Sequence, residues 1–408
     1  MSSKSRWIDR FLNHKIEIAK TEVSVLNLLF LVCIFMLSIV MKSKLFPIMT
    51  ADFTGSFDAW MNTIRTEGLF ASLSHKISDY PVSYLYFLAL LTHISSNNLM
   101  VLKFSSIFFE TVSAVAVFMI LMRLTKSVNK SVFGAALTAV APIVILDGAF
   151  WGQCDSLYTA LILLALYFFF KEDSNKFCIF IGLAFCFKVQ TLFLFPFILI
   201  MWAKNKVIKL VHLLWIPGLY FVSIIPGWIA GRSFKDLISV FWSQANFFPA
   251  ATLNYPNIYT LMGETQEPSH LTSYISEAGL LLAIIVLGFV AYYIVQKKFI
   301  ITDNIVITTA ILTIGLAVYF LPHMHDRYGY LLDILSIIYV VLRPRKFPVF
   351  AGFSLVSVMC CIPYLMCITV IPFAYQAIFL GGLLVYIGMD LYNQINEQSE
   401  EQAAKHYL

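Results

Sequence analysis

A succession of long apolar runs constrains this chain more than any other feature, because each run is long enough, or nearly long enough, to cross a lipid bilayer. A transmembrane helix needs about 20 mainly apolar residues. Soluble domains carry about 25% charged residues, whereas only 12% of these 408 residues are charged and 60% are hydrophobic. We therefore predict an all-α polytopic membrane protein. The predicted spans are 23–41, 99–122, 131–148, 156–170, 210–229, 274–296, 303–321, 328–342, 347–366 and 368–391.

The segment 177–203 is predicted to enter the membrane and return. Basic residues flank it on both sides, the nearest being Lys176 and Lys204, and Lys and Arg favour the cytoplasmic side of span ends. Each half then forms roughly 20 Å of helix, which is shorter than a hydrocarbon core of about 30 Å. Lys188 and Gln190, at the predicted turn, are expected in a recess below the outer surface. Counting both halves gives about 12 transmembrane helices.

The distribution of basic residues sets the predicted orientation. The net charge is +5, and most of the 28 Lys and Arg residues fall on the side that holds both termini, which the positive-inside tendency makes the cytoplasm. We expect a cytoplasmic amphipathic arm at 1–22, a membrane domain at 23–391 and a cytoplasmic tail at 392–408. The large external loops are then 42–98 and 230–273, and tighter external turns lie at 147–155 and 322–327.

Residues 81–95 are apolar enough to resemble a short span. We expect them to form an external juxtamembrane helix at the interface, because counting them as a span moves the basic stretch from Arg123 to Lys130 to the outside. An ordinary short span is the alternative interpretation.

With this topology, unusual polar residues collect on the outer side from six separate segments. Ionisable groups in membrane segments are costly and usually face a cavity or a partner. Their convergence on one face is what an external active site needs. The candidate residues are Asp52, Asp58, Asp79, Tyr80, Trp151, Gln153, Asp155, Lys188, Gln190, Asn254, Asn257, Tyr259, His323, His325, Asp326 and Arg327.

Several of these residues also have a purely structural interpretation. Asp52 and Asp155 each precede a predicted helix, and Asp is favoured as a helix N-cap. Trp151 has a position that suits the aromatic belt at the membrane interface. Lys188 is able to pair with Glu110, which itself lies within a predicted span. Each alternative stays open on sequence grounds.

The stretch "LPHMHDRYGYLL" (321–332) sets charged residues between two apolar runs. Pro322 sits where a helix would begin, and the partially positive N-terminal end of that helix would face outward. Such ends bind anions through unpaired backbone N–H groups. His323 and Arg327, four residues apart, would share one helix face, and the guanidinium fork suits phosphate. The stretch therefore predicts a phosphate site at the outer edge of the membrane.

A metal site is the rival interpretation of the same stretch. His323, His325 and Asp326 could supply nitrogen and oxygen ligands. Farther along, Asp333 is predicted to be a structural hydrogen-bond partner within its span.

A lipid-linked sugar brings a phosphate to such a place, because its isoprenoid tail stays in the bilayer while the sugar enters the recess. Aromatic rings could stack on sugar faces, and side-chain amides could bind the hydroxyl groups. A carboxylate would deprotonate the acceptor hydroxyl, and Asp52 is the candidate. The aromatic candidates are Tyr80, Trp151, Tyr255 and Tyr259, and the amides are Gln153, Gln190, Asn254 and Asn257.

At this point the chain resembles the GT-C superfamily of membrane glycosyltransferases. More narrowly, it is similar to bacterial mannosyltransferase-like proteins related to the glycosylphosphatidylinositol second mannosyltransferase. The resemblance covers most of residues 45–342. The segments that carry it, in chain order, are "ADFTGSFDAW", "YPVSYLYFLALL", "WGQCDSLYTALIL", "AFCFKVQTLFLFP", "NYPNIY" and "FLPHMHDRYGYL".

The resemblance implies a GT-C-like fold, a polyprenyl-phosphate-sugar donor, inverting transfer and an extracytoplasmic active site. The first-loop aspartate of the family falls on Asp52, followed here by Phe53 where many relatives carry Tyr. Asp326 stands where Glu is more usual, which shortens that side chain.

The leading hypothesis is an inverting transferase that moves a hexose to a cell-envelope glycan, teichoic acid or glycolipid, at the outer face of the plasma membrane. Asp52 would take the acceptor proton. We expect no nucleic-acid partner and no obligatory cofactor, although a divalent metal is compatible with the sequence. The residues expected to bind the donor phosphate are Lys188, His323, His325 and Arg327; those expected to bind sugar or acceptor are Asp58, Asp79, Tyr80, Trp151, Gln153, Asp155, Gln190, Asn254, Asn257, Tyr259 and Asp326.

A flippase or transporter of a lipid-linked saccharide is the alternative function. Such a protein also needs a recess for phosphate, but it needs a pathway to both faces. The hydropathy pattern shows no inverted repeat of the kind that transporters often have. A channel or receptor finds no support beyond the spans.

Overall fold

Seven helices of the computed structural model are long and apolar enough to cross a membrane, within the described residues 3–18, 21–204, 206–245 and 249–406. The prediction of an all-α, multi-pass membrane protein is confirmed. The seven are Val25–Leu45, Asn98–Thr125, Leu210–Ile229, Thr272–Gln296, Asp303–Phe320, Pro344–Met366 and Phe373–Glu400.

The longer α-helices are numbered here in chain order. They are α1 (Ser3–Leu12), α2 (Val25–Leu45), α3 (Asp58–Glu67), α4 (Val82–Ile94), α5 (Asn98–Thr125), α6 (Val128–Val140), α7 (Asp155–Phe170), α8 (Ser174–Phe187), α9 (Phe195–Ala203), α10 (Trp215–Ile229), α11 (Thr272–Gln296), α12 (Asp303–Phe320), α13 (Tyr330–Leu342), α14 (Phe347–Met366) and α15 (Phe373–His406). Short α-helices lie at Leu69–Ser72, Pro142–Val144, Phe234–Ile238 and Val240–Ala245, π-helical turns at Phe53–Phe57 and Ile145–Trp151, and 3-10 turns at Val189–Leu194, Leu210–Leu214, Ile258–Met262 and Pro344–Lys346.

One predicted span is broken. The helix expected at 131–148 is α6 followed by Pro142–Trp151, and the two parts meet at an angle of 45°. Ala141 between them has an extended backbone, because the residue before a proline is disfavoured in the helical region. If this bent pair is one span, the number of candidate spans rises to 8.

The remaining predicted spans fall on helices that are short for a straight crossing. These are α7, α8, the Val189–Ala203 segment and α13, with lengths between 10 and 17 residues. A break does occur at the predicted turn of 177–203, where α8 ends at Phe187 and Lys188 is extended. The residues predicted as an interfacial helix form α4, which is also short and apolar. The total of 12 spans stays a prediction.

Both ends of the chain are largely helical. In the arm, α1 exposes Trp7 and Phe11 and leads into the antiparallel strands β1 (Lys15–Ile18) and β2 (Thr21–Ser24). The tail continues α15 without interruption. Three predicted segments include positions outside the described residues. These positions are 1, 2, 19 and 20 in the arm, 246–248 in the predicted loop 230–273, and 407 and 408 in the tail.

The 321–329 segment differs from the predicted helix start at Pro322. The next helix, α13, begins only at Tyr330. Backbone N–H groups that a helix would need bind the 249–273 segment instead: His323 donates to Ala251 O (3.0 Å), and Asp326 donates to Leu253 O (2.9 Å). Strand β3 (Thr252–Leu253) accordingly pairs in parallel with β4 (Met324–His325), so His323 and Arg327 do not share a helix face.

Two hydrophobic clusters meet near the candidate residues. The larger cluster runs through α7, α12, α13 and α14 and includes Trp151. The smaller one joins residues 53–91 to α5 and α10 and includes Phe53 and Tyr80. Because Asp52 precedes Phe53 and contacts Trp151, it lies where the two clusters adjoin.

Candidate active site

Asp52 is held by three side chains from distant parts of the chain. Its Oδ2 accepts hydrogen bonds from Trp151 Nε1 (2.9 Å) and Gln153 Nε2 (2.5 Å), and its Oδ1 accepts one from Tyr364 Oη (2.7 Å). Although Asp52 precedes the turn Phe53–Phe57, its side chain makes no capping hydrogen bond. The predicted helix-cap role of Asp52 is therefore wrong.

These contacts leave the Asp52 carboxylate one position for a further donor. An ionised carboxylate offers about four lone-pair sites, and the three donors occupy two on Oδ2 and one on Oδ1. The side chain is 32% exposed, whereas most side chains around it are buried. Oδ1 therefore keeps one acceptor position on a carboxylate whose orientation is already fixed.

Arg327 is the cation nearest to this carboxylate. Its guanidinium lies over the Trp151 ring, 5.2 Å from the ring centroid. Arg327 Nη1 is 3.9 Å from Asp52 Oδ2, and Arg327 Nε is 3.5 Å from Asp155 Oδ2. With 11% of its side chain exposed, the Arg327 guanidinium is partly accessible, although its Nε is buried and faces Asp155.

A fully buried ion pair lies behind Arg327. Lys188 Nζ donates to Asp155 Oδ1 at 2.7 Å, and the ammonium lies 5.5 Å from the centroid of the Tyr158 ring. The alternative pairing of Lys188 with Glu110 is wrong, because Glu110 binds Lys42. Asp155 follows the cap residue Cys154 and makes ion pairs, so its predicted role as a helix cap is wrong too.

Trp151 is enclosed, with 1% of its surface exposed. Tyr364 stacks on its ring at a centroid distance of 4.6 Å and an interplanar angle of 15°, and Arg327 also lies over the ring. The interfacial-belt interpretation of Trp151 is therefore wrong. The indole positions Asp52 and the guanidinium.

The surroundings of the two histidines in the 321–329 segment limit what each offers to a phosphate. Both ring nitrogens of His323 have partners: Nδ1 lies 2.6 Å from Ala250 O, and Nε2 lies 2.8 Å from Ser276 Oγ. Burial lowers the pKa of His325 well below its ordinary value, and the positive charge of Arg327 lowers it further. His325 is therefore neutral near pH 7 and adds no positive charge.

Asp326 is a buried carboxyl beside the same guanidinium. Its Oδ1 accepts the backbone N–H of Arg327 (3.1 Å) and lies 3.8 Å from Arg327 Nη1. Burial raises the pKa of Asp326 to about 7. This group therefore changes charge near neutral pH.

Two further predicted residues, Asp79 and Tyr80, belong to the 42–98 segment. Burial raises the pKa of Asp79, and the charges of Arg327 and Asp52 also act on it. Tyr80 packs against the rings of Trp60 and Tyr84, with centroid distances of 5.5 and 4.9 Å. Its ring is part of the core of that segment.

The structure places other predicted sugar-binding residues in structural hydrogen bonds. Asp58 accepts from Asn62 (3.0 Å) and Asn98 (2.8 Å), which joins α3 to α5. Asn257 Oδ1 accepts the backbone N–H of Tyr259 (3.1 Å), and Tyr259 Oη donates to Phe320 O (2.5 Å).

Asn254 and Gln190 lie beside other predicted site residues, His325 and Lys188. Asn254 has a left-handed backbone (φ 64°), forms a β-bridge with His325 and accepts a hydrogen bond from Gln266. Gln190 is buried two residues after Lys188. Asp333 accepts from Ser354 (3.1 Å) and Ser357, which confirms its predicted structural role.

Tyr364 was not predicted. It belongs to α14, 312 residues after Asp52, inside an apolar run where a tyrosine is unremarkable. No motif or spacing in the sequence connects it with the first outer loop. Only the packing of α14 brings its hydroxyl to the carboxylate.

No group of three or more His, Cys, Asp or Glu side chains in the described part of the chain is placed to hold a metal ion. Two surface grooves, one on α10 and one beside the start of α12, contain none of the candidate residues.

No protein-family model matches the chain, and no curated protein matches its sequence.

Proposed function

We propose that the chain is an inverting glycosyltransferase that moves a hexose from a polyprenyl-phosphate-sugar to an acceptor hydroxyl, with Asp52 as general base. In this proposal the helices adopt the GT-C arrangement of about 12 spans. The protein lies in the plasma membrane with both termini in the cytoplasm and the site outside. The acceptor is a cell-envelope glycan, a teichoic acid or a glycolipid.

One observation carries the proposal: an oriented carboxylate with a free acceptor position lies 3.9 Å from a partly accessible guanidinium. Inverting transfer from a sugar phosphate needs a base on one face of the sugar and a cation at the phosphate on the other, so both groups must border the same site. The carboxylate removes a proton from the acceptor, and the cation stabilises the negative charge that the departing phosphate gains. A neutral His325 and a fully paired His323 leave this second task to Arg327, with Lys188 behind it.

The reaction balances within these groups. The acceptor oxygen forms a bond to the anomeric carbon on the face opposite the phosphate, and its proton passes to Asp52. The bond between the anomeric carbon and the phosphate oxygen breaks, and its electron pair goes to the phosphate. Lys188 neutralises Asp155, so the charge of Arg327 is less compensated by that carboxylate and remains available to the phosphate.

The buried surroundings strengthen the electrostatic stabilisation of the phosphate. Side chains of Asp155, Lys188 and Arg327 are 0%, 4% and 11% exposed. Charges act more strongly where water is excluded, and preorganised groups need no reorientation during the reaction. Stabilisation of the leaving phosphate is therefore expected to lower the activation barrier more than proton removal by Asp52 does.

The test uses purified wild-type protein with a panel of radiolabelled polyprenyl-phosphate hexoses and a crude envelope-glycan acceptor. Lipid-phosphate release, label transfer and donor binding are measured in parallel. Asp52→Asn keeps the shape of the side chain and removes the base, while Asp236→Asn alters an exposed carboxylate of the second outer loop as a matched control.

The proposal expects transfer by the wild type and by Asp236→Asn, and donor binding without transfer by Asp52→Asn. If all three proteins bind the donor and none transfers sugar to any acceptor, the transferase assignment fails. Movement of labelled lipid between leaflets by all three proteins would then support a flippase.

A further inference from the structure

Lys103 is a buried cation that the candidate active site does not use. It lies in α5, about 8 Å along the helix from its first residue at a rise of 1.5 Å per residue. Its Nζ donates to three backbone carbonyls: Leu45 O (3.0 Å), Ile48 O (2.7 Å) and Phe150 O (3.2 Å). An ammonium has three donors, so all are used and none remains for a ligand.

The three carbonyls belong to the two segments that build the Asp52 site. Leu45 is the last residue of α2, and Ile48 lies in the short link that leads from α2 to Asp52. Phe150 immediately precedes Trp151, whose indole holds the Asp52 carboxylate. One ammonium therefore fastens the segment of the base to the segment of the residues that orient it.

The next polar side chain on the same face of α5 continues this support. Residues three apart on a helix are neighbours, and Ser106, three residues after Lys103, donates to Gln153 O (2.9 Å). Gln153 is itself a donor to Asp52. Thus α5 fixes the backbone on both sides of Trp151.

A contribution to stability alone does not account for a lysine here. None of the ion pairs of the described residues includes Lys103, and its charge is compensated only by carbonyl dipoles. Taking an ammonium out of water is costly, and an apolar side chain of similar length often serves folding as well or better. What methionine cannot do is bind three carbonyls of two different segments.

We propose that Lys103 is a positioning residue that holds Asp52 in register with Trp151 and Gln153. The role rests on the proposed function, since the register matters for the proton transfer. It touches no substrate, so it acts on the rate of transfer and leaves donor binding intact.

The decisive variant is Lys103→Met, which keeps the length of the side chain and removes all three donors. Ser38→Ala is the matched control, because Ser38 Oγ also donates from a buried position to a backbone carbonyl, Ala139 O (2.7 Å), away from both segments. Hydrogen exchange of peptides covering 45–54 and 145–154 is measured without substrate, together with donor binding and kcat.

The proposal expects faster exchange in both peptides of Lys103→Met and little change elsewhere. It also expects a donor KM within about twofold of wild type and a kcat lower by about 100-fold, the scale of a misplacement of about 1 Å. Ser38→Ala should match the wild type in all three measurements. Unchanged exchange in both peptides, or faster exchange spread over the whole chain, overturns the proposal.

Thr50→Val provides a second variant should Lys103→Met fail to fold. Thr50 Oγ1 donates to Trp151 O (3.1 Å), which joins the same two segments independently. Thr50→Val should speed exchange in the same peptides and lower kcat with donor KM unchanged. Lys103→Arg should restore the exchange rates and the kcat that Lys103→Met loses. Failure of either expectation overturns the role of Lys103. Hydrogen exchange needs no substrate. If Lys103→Met speeds exchange in both peptides but the wild type shows no transfer activity, the proposed function is refuted and the positioning role of Lys103 stands.

Discussion

Breaking the buried pair between Lys188 and Asp155 should destabilise the protein by an amount that its neighbours determine. Lys188→Met leaves the Asp155 carboxylate buried without its ammonium. Removing one partner of a buried ion pair generally costs about 3–5 kcal/mol. Arg327 still lies 3.5 Å from Asp155 Oδ2 and compensates part of the charge, so we expect the lower end of that range.

A second buried pair supplies the comparison. Lys42 and Glu110 are 4% and 2% exposed, and no other ion pair of the described residues includes Glu110. Lys42→Met therefore leaves a carboxylate with no second cation, and we expect the upper end of about 3–5 kcal/mol. Both pairs join a buried lysine to a buried carboxylate, and among the described ion pairs the one that involves Asp155 also includes Arg327.

Thermal and denaturant unfolding of both variants in the same detergent measures the difference in stability. Lys188→Met should unfold at a higher temperature than Lys42→Met. The double variant Lys188→Met with Asp155→Leu should recover much of the loss, because no charge is then left unpaired. A Lys188→Met protein that is less stable than Lys42→Met, or a double variant no better than the single one, would show that Arg327 does not compensate Asp155.

Three further predictions concern the reaction. Burial raises the pKa of Asp326 to about 7, so its side chain is neutral below that pH and negative above it. The donor KM should rise between about pH 6 and pH 8, because the ionised carboxylate repels the donor phosphate. In Asp326→Asn the donor KM should not change with pH, and a rise in that variant too would exclude Asp326 as the cause. Arg327→Lys keeps the charge but loses the planar fork, so donor KM should increase by about tenfold; equal KM values would place the phosphate elsewhere. Tyr364→Phe keeps the ring on Trp151 and loses the hydrogen bond to Asp52. The Asp52 carboxylate is then less well oriented, so kcat should fall by about tenfold. Tyr319→Phe is the buried-hydroxyl control, and an unchanged kcat in Tyr364→Phe would contradict the prediction.

The hydropathy pattern predicted the long helices because apolar runs of about 20 residues are typical of transmembrane helices. The flanking lysines also located the break at Lys188, where α8 ends. Motifs on separate segments identified Asp52, Trp151, Gln153 and Arg327, which the fold brings into contact. These residues were predictable because each is an unusual polar or aromatic group at the end of an apolar run.

What escaped prediction depends on contacts between segments far apart in the chain. The helix expected from Pro322 begins at Tyr330 because His323 and Asp326 give their backbone N–H groups to residues 251 and 253. The partners of His323, Ala250 and Ser276, come from other loops and helices. Tyr364 and Lys103 lie within apolar helices, where the sequence shows their chemistry but not their neighbours.

The pairing of β3 with β4 joins the 249–273 segment to the segment that bears Arg327. Residues 252–253 are bonded to 324–325, so any displacement of one strand is carried to the other. Exchange of the loop 249–273 between related proteins would separate the two strands and release the turn that bears the guanidinium. A functional chimera must therefore transplant 249–273 and 321–329 together, as one exchangeable module.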